Sequence, residues 1–187
     1  MAAIFMSFIH EEEGTVLWVR HFIHEVLQGA VESFMSSDES IIYAGEDWMA
    51  RIFAELKDAK VLVSMLSPTS VTRPWINFEA GAAWMRDCKV IPVCFAGLTA
   101  GQLPKPYSSL QAVDISTHEG AFYLVSSIAH HLGLPAPEKP YFSKHPSPLA
   151  MDDAGRERNK KLFAPYLRLQ LMVDFVKLAQ NPTSPNS

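Results

Sequence analysis

Three almost uninterrupted apolar runs constrain this chain most: Ile4–Ile9 (IFMSFI), Val61–Leu66 (VLVSML) and Val90–Phe95 (VIPVCF). A strand with one wet face alternates apolar and polar residues. A run without that alternation is buried on both faces, as in a parallel sheet covered by helices. Between the runs the period changes. Val16, Val19, Ile23 and Val26 line one face of a helix within Gly14–Gln28. Met49, Ile52, Phe53, Leu56 and Ala59 do the same behind Asp47, a residue that can cap a helix start. A third helix is expected to begin between Ser70 and Pro74 and to run through Trp84. A fourth covers Ala121–Leu132, with Phe122, Val125, Ala129 and Leu132 on one face. Val31–Met35 and Gln111–Ile115 are weaker strand candidates, while Ser36–Asp47 and Gly97–Ser109 read as loops. Alternating strands and helices joined by right-handed crossovers give an α/β fold, a flavodoxin-like doubly wound parallel sheet. Such sheets bind ligands beyond the carboxyl ends of their strands. The loops after Ile9, Met35 and Leu66 are therefore the expected seat of any chemistry.

This pattern fills residues 1–134, one α/β domain. Five prolines between 135 and 148 then mark a Pro-rich linker, 135–150. A helical extension is expected over 151–180, where Leu162, Tyr166, Leu169, Val173 and Val176 share a face and Pro165 kinks the helix or marks its start. It would dock on its own domain or serve self-association. Residues 181–187 read as a disordered end. With 48% hydrophobic and 19% charged residues, the chain has the composition of a folded domain. Sixteen Lys and Arg against 20 Asp and Glu leave a net charge of −4, with no basic surplus for a phosphate backbone. Nucleic acid is thus not an expected partner. Nor is a membrane: no apolar stretch reaches about 18 residues. The apolar start lacks a basic flank and meets Glu11-Glu12-Glu13, unlike a signal peptide, so the expected setting is cytoplasmic. Cys88 and Cys94 read as buried free thiols.

Several familiar chemistries are missing. No Gly-x-Gly-x-x-Gly, Walker A or His-Glu-x-x-His sequence occurs. His21 and His24 are three apart but lack a third ligand, and no metal site is expected. Ser64 and Ser67 lack the Gly-x-Ser-x-Gly context of a hydrolase elbow. What remains is Ser67–Trp84, which follows a buried run. Trp75 and Glu79 are four apart, so a helix sets indole and carboxylate on one face, one turn from each other. Ala80-Gly81-Ala82-Ala83 behind them allow that helix to lie close to the sheet. A carboxylate beside an indole at the mouth of a parallel sheet is either a tuned acid or a surface Glu next to a core Trp.

The order of these segments resembles the Toll/interleukin receptor (TIR) domain. IFMSFIH (residues 4–10) is similar to the family's first strand. SDESIIYAGEDWMARIFAELKDAKVLVSMLSP (37–68) resembles its second box, with an acidic turn, an apolar loop closed by Gly, a helix and a strand ending in Ser-Pro. SVTRPWINFEAGAAW (70–84) resembles the segment carrying Trp-x-x-x-Glu in catalytic members, and KVIPVCF (89–95) the strand after it. The resemblance covers about residues 3–134. Phe8 replaces the family's usual Tyr, Ile9-His10 stand where many members have polar or basic residues, and Arg73-Pro74 where many have Ser.

The resemblance implies an enzyme that cleaves NAD+ at the nicotinamide–ribose bond and forms ADP-ribose or a cyclic ADP-ribose signal. It implies Glu79 as the catalytic carboxylate, NAD+ as substrate rather than cofactor, and no resident cofactor. Trp75 would wall the ribose or nicotinamide, or simply pack. Phe8 would stack on a ring of the substrate, or belong to the core. Ser7, Ile9 and His10 share its loop. The segment Ile41–Trp48 resembles the family's loop between second strand and following helix. Gly45 would let it bend over the substrate, and Trp48 would cap the site or begin the helix. The resemblance also implies a homo-oligomer, because a neighbouring protomer commonly completes the site. It further implies a stand-alone protein of bacterial anti-phage defence, whose product a separate effector protein reads. Two other readings stand beside it: a non-catalytic TIR interaction or adaptor module, and another N-glycosidic enzyme such as a nucleoside deoxyribosyltransferase.

Overall fold

The computed structural model describes residues 3–36 and 48–138. These lie within the first of two compact units, Met1–Ala150; the second, Met151–Ser187, falls outside the described residues. The expected tail helix and end, the expected cap Asp47, and the loop carrying Gly45 fall outside them too.

Five parallel strands form one sheet: β1 (Ile4–Ser7), β2 (Ser33–Met35), β3 (Val61–Leu66), β4 (Lys89–Cys94) and β5 (Val113–Asp114). Their order is β2-β1-β3-β4-β5. This is the flavodoxin-like order, whose topological switch point lies between β1 and β3. The helices are α1 (Glu13–Val26), α2 (Trp48–Asp58), α3 (Pro74–Trp84) and α4 (His118–Leu132). All four match sequence periodicity to within a turn or less. β1 stops at Ser7, two residues before the apolar run does, because the chain turns into a short 3₁₀ segment, His10–Glu12. The weak strands are real but short, and both sit at the sheet edges.

Side chains alternate across a strand, so each strand serves two cores. Ile4, Met6, Val61, Val63, Ile91 and Val93 face α1 and α4. Phe5 and Leu62 face Ile52 and Leu56 of α2 and Ala83 of α3. Leu66 and Cys94, on that second face, meet Ile76 and Ala80 of α3 and the buried Tyr107. By the same alternation Ser7 and Ser64 point to the α2/α3 face. They occupy the same register position on neighbouring strands, Ser7 of β1 beside Ser64 of β3.

The turn from β5 into α4 depends on a close backbone approach. Thr117 caps α4 by accepting a hydrogen bond from the Gly120 amide at 2.9 Å. A β-carbon at Gly120 would lie 1.7 Å from the Asp114 carbonyl oxygen. Gly120→Ala is therefore expected to force the turn apart and to destabilise the fold by about 2–3 kcal/mol. A lower urea midpoint at unchanged m-value checks this; an unmoved midpoint contradicts the packing described. At the other end of α4, Gly133 takes φ 70° and terminates the helix in the left-handed region that favours glycine.

Among the described residues no helix is long and apolar enough to cross a membrane.

Candidate active site

The site helix begins without a side-chain cap: Arg73 is extended, and Pro74 opens α3 with its fixed φ. Asn77 compensates by donating to the Val71 and Arg73 carbonyls at 3.3 and 3.0 Å, tying the preceding loop to the first turn. α3 is apolar nearly all round, and its small residues seat it on the sheet. Ala80 and Ala83 are buried, and Ile76 is fully so. Glu79 lies between them in sequence and is carried into the interior with them. It is 0% exposed, the only charged-type side chain among the buried residues described.

Two donors hold its carboxyl group. The Ser7 hydroxyl donates to Oε2 at 2.5 Å, and the Trp75 indole N–H donates to Oε1 at 2.9 Å. The expected one-turn pairing of Trp75 with Glu79 is thus present as a hydrogen bond. Burial pushes the Glu79 pKa up to about 7, against the opposing pull of the Ser7 and Trp75 hydrogen bonds. Both the neutral and the ionised form are therefore within reach near neutral pH. Trp75 itself is half-buried and stacks on Phe78, with ring centroids 5.1 Å apart; Phe78 in turn meets Phe53 edge-on at 5.8 Å.

Beneath this pair lies a second polar contact. Tyr107 is fully buried, and its hydroxyl donates to the Ile76 carbonyl of α3 at 3.1 Å. The Ser64 hydroxyl lies 3.1 Å from the same phenol oxygen. Since a carbonyl only accepts, the single phenol hydrogen goes to Ile76, and Ser64 is the donor to Tyr107.

The rim of the switch point is clamped separately. Ser67 and Ser70 exchange hydrogen bonds, Ser67 N–H to Ser70 Oγ at 2.8 Å and Ser70 N–H to Ser67 Oγ at 3.1 Å. The Ser67 hydroxyl donates to Glu12, so the loop after β3 is fastened to the one after β1. Burial raises the Glu12 pKa, opposed by the Ser67 and Ser70 hydroxyls. Arg73 reaches Glu11 across the same rim at 3.2 Å, but both are well exposed, so this pair adds little.

Of the residues singled out from sequence, Ser7, Trp75 and Glu79 come together. Ile9 is half-buried on the α3 side, against the cluster that contains Leu66 and Tyr107. His10 is exposed and sits 3.7 Å from the Glu13 carboxylate. Phe8 is 3% exposed and packs in the core under α1 and α4. That is the face opposite Glu79, so of its two readings the structure supports the core one. Consecutive residues of an extended chain point to opposite sides, and Ser7 has taken the side of Glu79. Trp48 opens α2, in keeping with the second of its two expected roles; its side chain and Gly45 lie outside the described residues. Sequence reasoning missed Ser64, Tyr107, Glu12 and Ser67 as members of the site's framework. Ser64 carried a signal, being the one polar residue in VLVSML. Tyr107 carried none, since it stands in a Gly/Pro/Ser-rich loop.

A five-stranded parallel sheet of this order, with the carboxylate of a Trp-x-x-x-Glu pair buried at its switch point, defines a TIR-like α/β domain. The family model for the TIR domain matches residues 4–124, and the chain belongs to that family. No curated protein matches it. Among solved structures it is similar to a metazoan TIR-STING receptor from C. gigas, with 17% identity and a TM-score of 0.51 over 73% of this chain and 42% of that one. The same receptor in complex with 2′,3′-cGAMP gives 18% identity and a TM-score of 0.53 over 72% and 40% of the two chains. At such identities the likeness is one of fold. This chain spans less than half the length of that receptor.

Proposed function

We propose that this domain cleaves the nicotinamide–ribose bond of NAD+, with Glu79 as the catalytic carboxylate. The observation that carries the reading is a single buried acid at the switch point, held by Ser7 and Trp75 in the family's Trp-x-x-x-Glu spacing. One carboxylate is enough for this chemistry. Oxidised nicotinamide is a cation and leaves as a neutral molecule with the electron pair of the C1′–N bond, so no acid is required to assist it. What develops is positive charge on the ribose, and a fixed carboxylate in a water-poor site stabilises that charge. Each Glu79 oxygen uses one lone pair on its protein donor and keeps another for a ribose hydroxyl.

The second substrate decides the product. If water attacks C1′, its oxygen forms the new bond, its proton passes to Glu79 or solvent, and linear ADP-ribose results. If a nucleophile of the same ADP-ribose attacks, the product is cyclic; we favour cyclisation. Because Glu79 is wholly buried, substrate reaches it by displacing the Trp75–Phe78 stack or the loop after β1. We place that opening in a homo-oligomer in which a neighbouring protomer completes the site. In this reading the protein acts in the cytoplasm, in bacterial anti-phage defence, and a separate effector protein reads the nucleotide product.

The test is incubation of concentrated protein with NAD+ and separation of products by mass. Free nicotinamide with a cyclic product supports both the cleavage and the cyclisation. Linear ADP-ribose, heavier by one water, supports the cleavage but not the cyclisation. No nicotinamide at any protein concentration contradicts the enzyme. One observation favours a second reading, a non-catalytic interaction module: both carboxylate oxygens are already bound within the protein, as expected of a structural acid.

A further inference from the structure

We propose that Tyr107 is a positioning residue for Glu79: its hydroxyl joins β3 to the first turn of α3 and so fixes the helix that presents the carboxylate. The inference rests on the reading of Glu79 given above and extends it to a residue that never meets substrate.

The geometry is specific. Tyr107 sits in a 3₁₀ turn, Tyr107–Ser109, far from α3 in sequence, yet it is fully buried beneath it. Its hydrogen goes to Ile76, the residue after Trp75 and three before Glu79. Its oxygen receives the Ser64 hydroxyl, and Ser64 is the register partner of Ser7, which binds Glu79 Oε2. Two donors of Glu79, Ser7 and Trp75, are therefore each one step from a group that Tyr107 holds. The phenol also lies within electrostatic reach of the acid. Burial pushes the Tyr107 pKa up to about 12, Ser64 opposes the rise, and the Glu79 charge adds to it. Leu66, Ile76 and the buried Leu103 form one apolar cluster with the Tyr107 ring, and a tyrosine needed only to fill space there would serve no better than phenylalanine.

Tyr107→Phe keeps the ring and removes the link. Ser64 and the Ile76 carbonyl lose their shared partner, and α3 is freed to shift by a fraction of an ångström. The hydrogen bonds from Ser7 and Trp75 hold the Glu79 pKa down against burial, so weakening them raises it. The experiment measures two things on the full chain: kcat and KM for NAD+ against pH, and the titration of the Glu79 carboxyl carbon by ¹³C NMR, identified by its loss in Glu79→Gln. Leu103→Val loosens the same apolar cluster without touching a hydrogen bond and serves as the control. Tyr107→Phe is expected to raise the Glu79 midpoint by about half a pH unit or more. It is also expected to lower kcat about tenfold, with KM within about twofold, as for an interaction realised in the transition state. Ser64→Ala, which cuts the link from the strand side, is expected to act in the same direction and substitutes if Tyr107→Phe does not fold. Leu103→Val moves neither quantity. Wild-type values in Tyr107→Phe, or an equal shift in Leu103→Val, overturn the proposal. If the wild-type chain releases no nicotinamide, the enzymatic reading fails, and the carboxyl midpoint alone decides whether Tyr107 positions Glu79.

Discussion

Glu79→Gln is expected to stabilise the folded chain at pH 8 by about 3 kcal/mol relative to wild type, and to leave stability nearly unchanged at pH 4. The sign follows from burial. The folded pKa, about 7, lies above the ordinary 4.5. The stability that Glu79 allows is therefore fully present below pH 4.5 and is lost as pH rises through 7, where folding opposes an ionisation that the unfolded chain makes freely. Gln has nearly the same shape. Its carbonyl accepts from Trp75, and its amide donates to Ser7 once that hydroxyl turns to accept. Gln carries no charge to desolvate. Thermal melts at the two pH values check this, with a gain of roughly 10 °C expected at pH 8 only. An equal effect at both pH values would mean that folding does not raise the Glu79 pKa. A stabilised but inactive variant is the signature of a site built at the expense of its fold.

Ser7→Ala should lower activity at pH 7 about fivefold and recover most of it at pH 9. The hydroxyl donates to Oε2 at 2.5 Å and favours the ionised carboxylate. Without it the Glu79 pKa rises by about one unit, and the ionised fraction at pH 7 falls from about a half to about a tenth. Rising pH restores the anion. Trp75→Phe keeps the stack on Phe78, removes the other donor, and shifts the profile in the same direction. The kcat–pH profile separates this from a loss of geometry: a displaced limb with a preserved plateau is expected. A plateau lowered at all pH values, with an unmoved limb, would contradict a role through the carboxyl's protonation.

Much of this arrangement is legible in the sequence. β3 is visible because it is buried on both faces and reads as one apolar run. β2 and β5 are short edge strands, which spares them that double burial and weakens their signature. Trp75 and Glu79 are legible together because four residues on a helix make one turn. Ser7 is legible as the single polar break in IFMSFI, and the alternation of an extended chain is by itself enough to send Phe8 to the other face. The rest depends on long-range pairing. Ser64 is as visible as Ser7, but its meaning rests on the β1–β3 register, which local pattern does not encode. Tyr107 reaches Ile76 across 31 residues from a loop whose composition reads as solvent-exposed. The same holds for Glu12 and Ser67, whose contact joins two loops 55 residues apart.

The most direct test of the central claim is nicotinamide release from NAD+ by the wild-type chain and Glu79→Gln, at equal and high concentration and at pH 8. Release by the wild type and none by the variant is expected, while the variant melts at the higher temperature. Equal release by both would contradict Glu79 as the catalytic group, and no release by either would contradict the enzyme.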